Sequence, residues 1–223
     1  MSKLKKCALI FFILSAIIYM TQNVSAEVII IDAGHGGLDG GASAYGAVEK
    51  DITLDIALKL DTLFRLFGFE TALTRKDGGA LCDGPRFNKR EDMDNRVKII
   101  NSFDNGTLIS VHVNKYQSEK YFGAQMFWTN GDKARKLADS VMTSFRTLQS
   151  ENTRGVKQIS DSFYLYRNVS CPVLLAECGF ISNAAERELL QSGVYRLKIA
   201  MAIFKGYVDT LTTEETENGG SQT

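Results

Sequence analysis

Histidine, proline, cysteine and tryptophan are scarce in this chain: two, two, four and one among 223 residues. With only Pro85 and Pro172 to punctuate it, the chain has no proline-rich hinge or linker, and no internal repeat is visible. Cys7 lies in the amino-terminal apolar stretch, which leaves Cys82, Cys171 and Cys178. No Cys-x-x-Cys pair occurs, so a zinc-thiolate site is not supported. Cys171 and Cys178 bracket an expected strand from Pro172 to Glu177, and a strand of that length holds its ends roughly 20 Å apart, beyond disulfide reach. An odd set of three that cannot pair in this way excludes a fully oxidised disulfide framework.

An excess of charge is lacking too. Lys plus Arg and Asp plus Glu balance at 26 each, and residues 1–26 hold Lys3, Lys5 and Lys6 but no acid, so the remainder carries 23 basic against 26 acidic residues. No basic patch advertises nucleic acid or an anionic membrane. Partners must therefore be selected by shape and by a chemical site. The one long apolar run, Cys7 to Met20, is short for a membrane span. Behind its basic lead-in and before the small-residue site Val24-Ser25-Ala26, it reads as a secretory signal or, if retained, an amino-terminal anchor. Because Cys7 opens the run instead of following it, a lipoprotein signal is disfavoured. Residues 27–212 suffice for one well-buried domain, and 213–223 read as a polar, acidic, disordered tail.

What is present is an alternation of strands and helices. Apolar or β-rich runs predict strands before His35, at Phe69–Thr74, before His112, and at Gly123–Thr129, Ser162–Arg167 and Val173–Glu177. Helical spacing predicts a helix from Asp51 to Phe67, capped by Asp51 and stopped by Gly68. Further helices carry Val97, Ile100 and Phe103; Leu137, Val141 and Phe145; Ala184 to Leu190; and Leu197 to Val208. The fold class is α/β: a single-domain sandwich around a mostly parallel twisted sheet of about six strands flanked by helices.

Both histidines sit just past buried strands, where ligands and metals collect in open α/β sheets. Either alone is satisfied by a backbone hydrogen bond. Placed together, they suggest a two-histidine metal site that needs one carboxylate to complete it. Glu177 ends another apolar strand, a costly place for a carboxylate unless it is paired, metal-bound or protonated, although capping a nearby amide would also serve. Glu49 precedes the first helix, where an acid is favoured by the helix dipole as well as by a metal. The glycines of Gly34-His35-Gly36-Gly37 and Gly40-Gly41 suggest a sharply turning backbone with room for a bulky substrate beside the ring of His35.

Four ordered motifs carry a resemblance. They are Asp32-Ala33-Gly34-His35-Gly36-Gly37 followed by Glu49-Lys50-Asp51; Thr74-Arg75 with the helix around Arg96; Ser110-Val111-His112-Val113-Asn114; and Pro172 to Asn183. From Val28 to Val208 the chain resembles the zinc-dependent N-acetylmuramoyl-L-alanine amidases of the amidase-3 class. Ala33 replaces the usual proline, and one residue is missing between Pro172 and Val173. The resemblance implies that His35, Glu49 and His112 bind Zn2+ and that Glu177 is the catalytic acid/base. It also implies cleavage of the bond between the lactyl group of N-acetylmuramic acid and L-alanine. Asn114, Arg75 and Arg96 would position substrate or brace loops, bracing being favoured for the arginines because such residues pair with carboxylates.

The compact chain looks most like the spore-cortex amidases of endospore-forming bacteria. That implies export across the cytoplasmic membrane, to the wall or to the space around the forespore. Peptidoglycan glycan strands with their stem peptides would be the substrate. An activating protein partner would find its footprint on the loops at 76–89 and 114–122. A zinc peptidase acting within the stem peptide, and a non-catalytic peptidoglycan-binding relative, are the alternatives.

Overall fold

The computed structural model describes residues 27–82, 86–160 and 162–219. Residues 1–26, expected as a signal or anchor, lie outside them, and no helix among the described residues is long and apolar enough to cross a membrane. Six strands form one sheet: β1 (Val28–Ala33), β4 (Glu70–Leu73), β5 (Gly106–Asn114), β6 (Gln125–Thr129), β7 (Lys157–Gln158) and β8 (Val173–Phe180). Their spatial order is β4-β1-β5-β8-β6-β7, and every pairing is parallel except β6 with β8. A small hairpin, β2 (Ser43–Ala44) with β3 (Ala47–Val48), lies inside the glycine-rich loop.

Alternation along the strands divides the core in two. Ile29, Ile31, Ile109, Val111, Leu174 and Ala176 face one layer, built from α1 (Glu49–Leu66), α3 (Asp132–Leu148) and α6 (Gly193–Gly219). Val28, Ile30, Leu108, Val173 and Leu175 face the other, where α2 (Lys89–Ile100) and α4 (Tyr164–Arg167) lie. A short α5 (Ala184–Gln191) precedes the last helix. With helices on both faces, the central strands are free to be apolar throughout, and the few polar side chains on them stand out.

The segment Ser162–Arg167, expected as a strand, is not one. Tyr164–Arg167 makes a single helical turn, and the sheet is completed instead by Lys157–Gln158 against Phe127 and Trp128. Leu165 and Tyr166, adjacent in sequence, are both buried; strand alternation would have sent one of them to the opposite side, and a helical turn does not. Helix α1 starts at Glu49, with Val48 as an N-cap that makes no side-chain bond, so Asp51 is not its cap. Gly68 does follow the helix end, at φ +85°. The backbone of α6 stays helical to Gly219, past Thr213 where a disordered tail was expected; its Thr-Glu-Glu-Thr-Glu run holds no helix breaker. Cys82, Cys171 and Cys178 are free thiols.

Candidate active site

The carboxyl ends of β1, β5 and β8 bring the singled-out residues together. His35 follows β1, His112 lies on β5 and Glu177 on β8, while Glu49 opens α1. His112 and Glu177 are direct partners across the β5–β8 ladder. His35 Nε2 lies 3.2 Å from Glu49 Oε2, and His112 Nδ1 lies 3.0 Å from Glu49 Oε1. One donor atom from each of the three falls within 4.8 Å of the others. The two rings meet edge to face, with centroids 5.1 Å apart.

Backbone amides hold the carboxylate in place: Ala42 N–H donates to Glu49 Oε2 at 2.7 Å and Val113 N–H to Oε1 at 3.0 Å. Asp39, which the sequence reading missed, binds His35 Nδ1 at 2.9 Å and leaves Nε2 for the cluster. Its signal was modest, an acid four residues past a histidine in a glycine loop. His35 itself sits at φ +63°, a conformation costly for a residue with a side chain and often retained at functional sites.

Two of the glycines make room for the cluster itself. A Cβ on Gly34 would fall 2.4 Å from the His112 ring, and one on Gly41, at φ +66°, would fall 2.6 Å from both Glu49 Oε2 and the His35 ring. Gly36 and Gly37 are covered by the backbone at Gly79 and Ala80. Open space lies beside Gly34 and His35, in a cavity of about 460 Å³ that runs from His35, His112 and Glu177 to Met93, Phe163 and Tyr164.

Beneath the cluster, Asp32 is fully enclosed. It accepts hydrogen bonds from Thr74 Oγ1 and Ser110 Oγ, both at 2.7 Å, and pairs with Arg96 at 2.5 Å. Arg96 also pairs with Asp92 at 2.8 Å and donates to the carbonyl of His35 at 2.5 Å, which ties it to the histidine turn. Arg75 departs from the expectation of a carboxylate partner: it donates to the carbonyls of Ala33, Gly34, Lys50 and Asp77 at 2.7–3.0 Å. Asn114 ends β5 on the same face as His112, and its carbonyl accepts from Ile181 N–H at 2.8 Å.

Electrostatics sharpen the roles. Burial alone would lower the pKa of His35, but Glu49 and Asp39 outweigh it and raise it to about 9. His112 is raised against burial by Glu49 in the same way. Glu49, despite burial, is held well below the usual carboxylate range by the two imidazoles. Without a metal, Glu49 thus favours the protonated form of both rings, an arrangement in which a divalent cation takes the place of protons. Glu177 behaves differently: burial, helped by the Glu49 charge, pushes its carboxyl up to about 7. Its Oε2 is buried with no hydrogen-bond partner, as a group kept for a reacting proton would be. Two imidazole nitrogens and one carboxylate are a zinc-type donor set that leaves a position for water, so the residues fit that metal.

Comparison with known proteins agrees. Residues 29–208 match the N-acetylmuramoyl-L-alanine amidase family. The chain is 35% identical over 194 residues to the germination-specific N-acetylmuramoyl-L-alanine amidase of Bacillus subtilis, covering 85% of this chain and 81% of that one. It is 30% identical over 188 residues to the amidase LytC of the same organism, covering 83% of this chain and 36% of LytC. Among solved structures, the CwlD amidase of Clostridioides difficile, determined in complex with the GerS lipoprotein, superposes with a TM-score of 0.79 at 35% identity over 84% of this chain and 99% of that one.

Proposed function

Because this chain belongs to the N-acetylmuramoyl-L-alanine amidase family, we propose that its peptidoglycan-cleaving site consists of His35, Glu49 and His112 holding a zinc ion, with Glu177 as the proton carrier. The convergence of three donor atoms within 4.8 Å beside an unpartnered Glu177 oxygen carries this reading. Zinc held there supplies a Lewis acid and lowers the pKa of a coordinated water to about 7. Asp39 fixes the His35 tautomer, and the amides of Ala42 and Val113 fix the Glu49 carboxylate, so the donors are preorganised. Glu177 takes a proton from the water that attacks the lactyl carbonyl. As the carbon–nitrogen bond breaks, it returns that proton to the departing amine of L-alanine.

The germination-specific relative supports a role in spore-cortex peptidoglycan, with export to the wall or to the space around the forespore. The lipoprotein seated on the Clostridioides difficile amidase supports a protein partner for this chain as well. The exposed Tyr116, Tyr121 and Phe122 on the loop after β5 offer such a partner an apolar foothold. Digestion of spore peptidoglycan with the purified, zinc-loaded protein, with and without a co-expressed lipoprotein partner, tests the reading by mass spectrometry. Intact stem peptides with an L-alanine amino terminus are expected. Stem peptides shortened while still attached to muramic acid would replace it with the peptidase alternative.

A further inference from the structure

Arg154 stands at the edge of the site, near enough to the buried Glu186 carboxyl to offset part of the rise that burial gives its pKa but not paired with it. Its guanidinium lies over the ring of Phe180, 4.5 Å from the centroid, while Nε donates to the Phe122 carbonyl at 3.0 Å and Nη1 to Gln125 Oε1 at 2.7 Å. Gln125 is itself clamped, donating to the Gly155 carbonyl at 3.0 Å. Asn152 Oδ1 accepts the Arg154 N–H at 3.0 Å. Neutral groups therefore fix the side chain, and no carboxylate among the described residues is in ion-pair contact with it. Two of the five guanidinium N–H donors are accounted for, which leaves a fork suited to a planar anion.

Its position relative to the chemistry is set by the sheet. Gln125 is the direct cross-strand partner of Glu177 in the antiparallel β6–β8 ladder, and such partners share a face. Phe180 is likewise the partner of Asn114 on β5. The guanidinium thus sits one side chain beyond Glu177, on the side of β8 away from His35 and Glu49. A carboxyl that protonates the leaving amine must lie against that amine, with the acyl carbon toward the His-Glu-His cluster. The chain attached to the amine then leaves over β8 and β6, where Arg154 waits.

We propose that Arg154 binds a carboxylate of the stem peptide on the leaving-group side of the site. This rests on the amidase reading, with Glu177 as the proton carrier. The peptide, unlike the neutral hydroxyls of the glycan, ends in a carboxylate and carries others on its side chains. A charge-assisted, two-pronged contact of this kind corresponds to a roughly 10- to 100-fold effect on affinity.

The test compares a muramoyl tripeptide with free carboxylates and the same compound with its carboxylates converted to amides, using zinc-loaded wild type, Arg154→Gln and Arg154→Lys. Binding of the free tripeptide is measured alongside by calorimetry. Wild type should show a KM for the acid lower than that for the amide by about 10- to 100-fold, with similar kcat, as for an anchor felt equally in ground and transition state. Arg154→Gln should lose that preference and weaken tripeptide binding by the same factor. Arg154→Lys, which keeps the charge and the aliphatic stem, should retain part of both and keeps the test alive if the glutamine variant does not fold. A wild type indifferent to amidation, or an Arg154→Gln protein that still prefers the acid, overturns the proposal. If wild type cuts neither compound, the amidase reading fails on its own account, while the calorimetry still decides whether Arg154 holds the peptide.

Discussion

Asp32 and Arg96 form an ion pair closed to solvent, 2.5 Å from Oδ1 to Nη1, directly under the turn that carries His35. Each has further partners, Asp32 in Thr74 and Ser110 and Arg96 in Asp92, so neither charge is left bare. Removing one member strands the other in the core, which costs about 3–5 kcal/mol. Arg96→Met is therefore expected to lower stability by that amount in denaturant titration and to loosen metal binding as the His35 turn relaxes. Arg96→Lys should recover only part of the loss, because a single ammonium cannot reach Asp32, Asp92 and the His35 carbonyl together. A stability change under about 1 kcal/mol for Arg96→Met would show that the pair does not hold the turn.

The same pair predicts a pH dependence. Burial would raise the Asp32 carboxyl, but Arg96 and then His112, Thr74 and Ser110 hold it down at about 2, below the model-peptide value of 3.8. A carboxyl depressed on folding stabilises the protein fully above the unfolded pKa and loses that contribution as the pH falls toward the folded one. Metal-free wild type should accordingly lose about 2 kcal/mol between pH 4 and 2 from this group. Asp32→Asn, less stable at neutral pH, should show a shallower fall over that interval when melting is followed by circular dichroism. Parallel curves for the two proteins would place the acid sensitivity elsewhere.

How much of this was legible in the sequence depends on what made each element. The apolar strands ending at His35, His112 and Glu177 were readable because a doubly covered strand must be apolar, so a polar residue at its end stands out. The Tyr164–Arg167 turn was not, since Phe-Tyr-Leu-Tyr suits a strand locally and only the joint burial of Leu165 and Tyr166 makes it helical. Asp39 and Arg154 were hidden for another reason. Each sits in a loop with no periodicity: Asp39 meets His35, four residues back, only because the glycine turn folds them together, and Arg154 reaches Gln125, itself opposite Glu177 across the sheet. The glycines were visible as a motif, yet what they make room for, the His112 ring at Gly34 and Glu49 at Gly41, is a tertiary contact.

Metal content gives a third prediction. His35 and His112 are the only imidazoles in the chain, so His35→Ala or His112→Ala should abolish both zinc binding and activity, and Glu49→Ala should weaken both. Asp39→Ala, which frees the His35 ring without removing a donor, should retain zinc with about 10- to 100-fold lower affinity. Elemental analysis and competition with a chelator read these effects. Stoichiometric zinc retained by His112→Ala would rule out the cluster as drawn.

Glu177 provides the last prediction, because its two attributes separate a proton carrier from a ligand. It is absent from the group of donor atoms that converge within 4.8 Å, and its buried Oε2 has no hydrogen-bond partner. Replacing it should thus leave the metal in place and remove a desolvated carboxylate at no cost to the fold. Glu177→Gln, close in shape, is expected to keep zinc and to melt at or above the wild-type temperature. Its rate of muramoyl-alanine cleavage should fall at least about 10²-fold, the lower range for a positioned acid/base, with KM little changed. Glu177→Ala should behave alike apart from the cavity it opens. Loss of zinc from the glutamine variant would make Glu177 a ligand instead, and an unaltered rate would move proton transfer to another group.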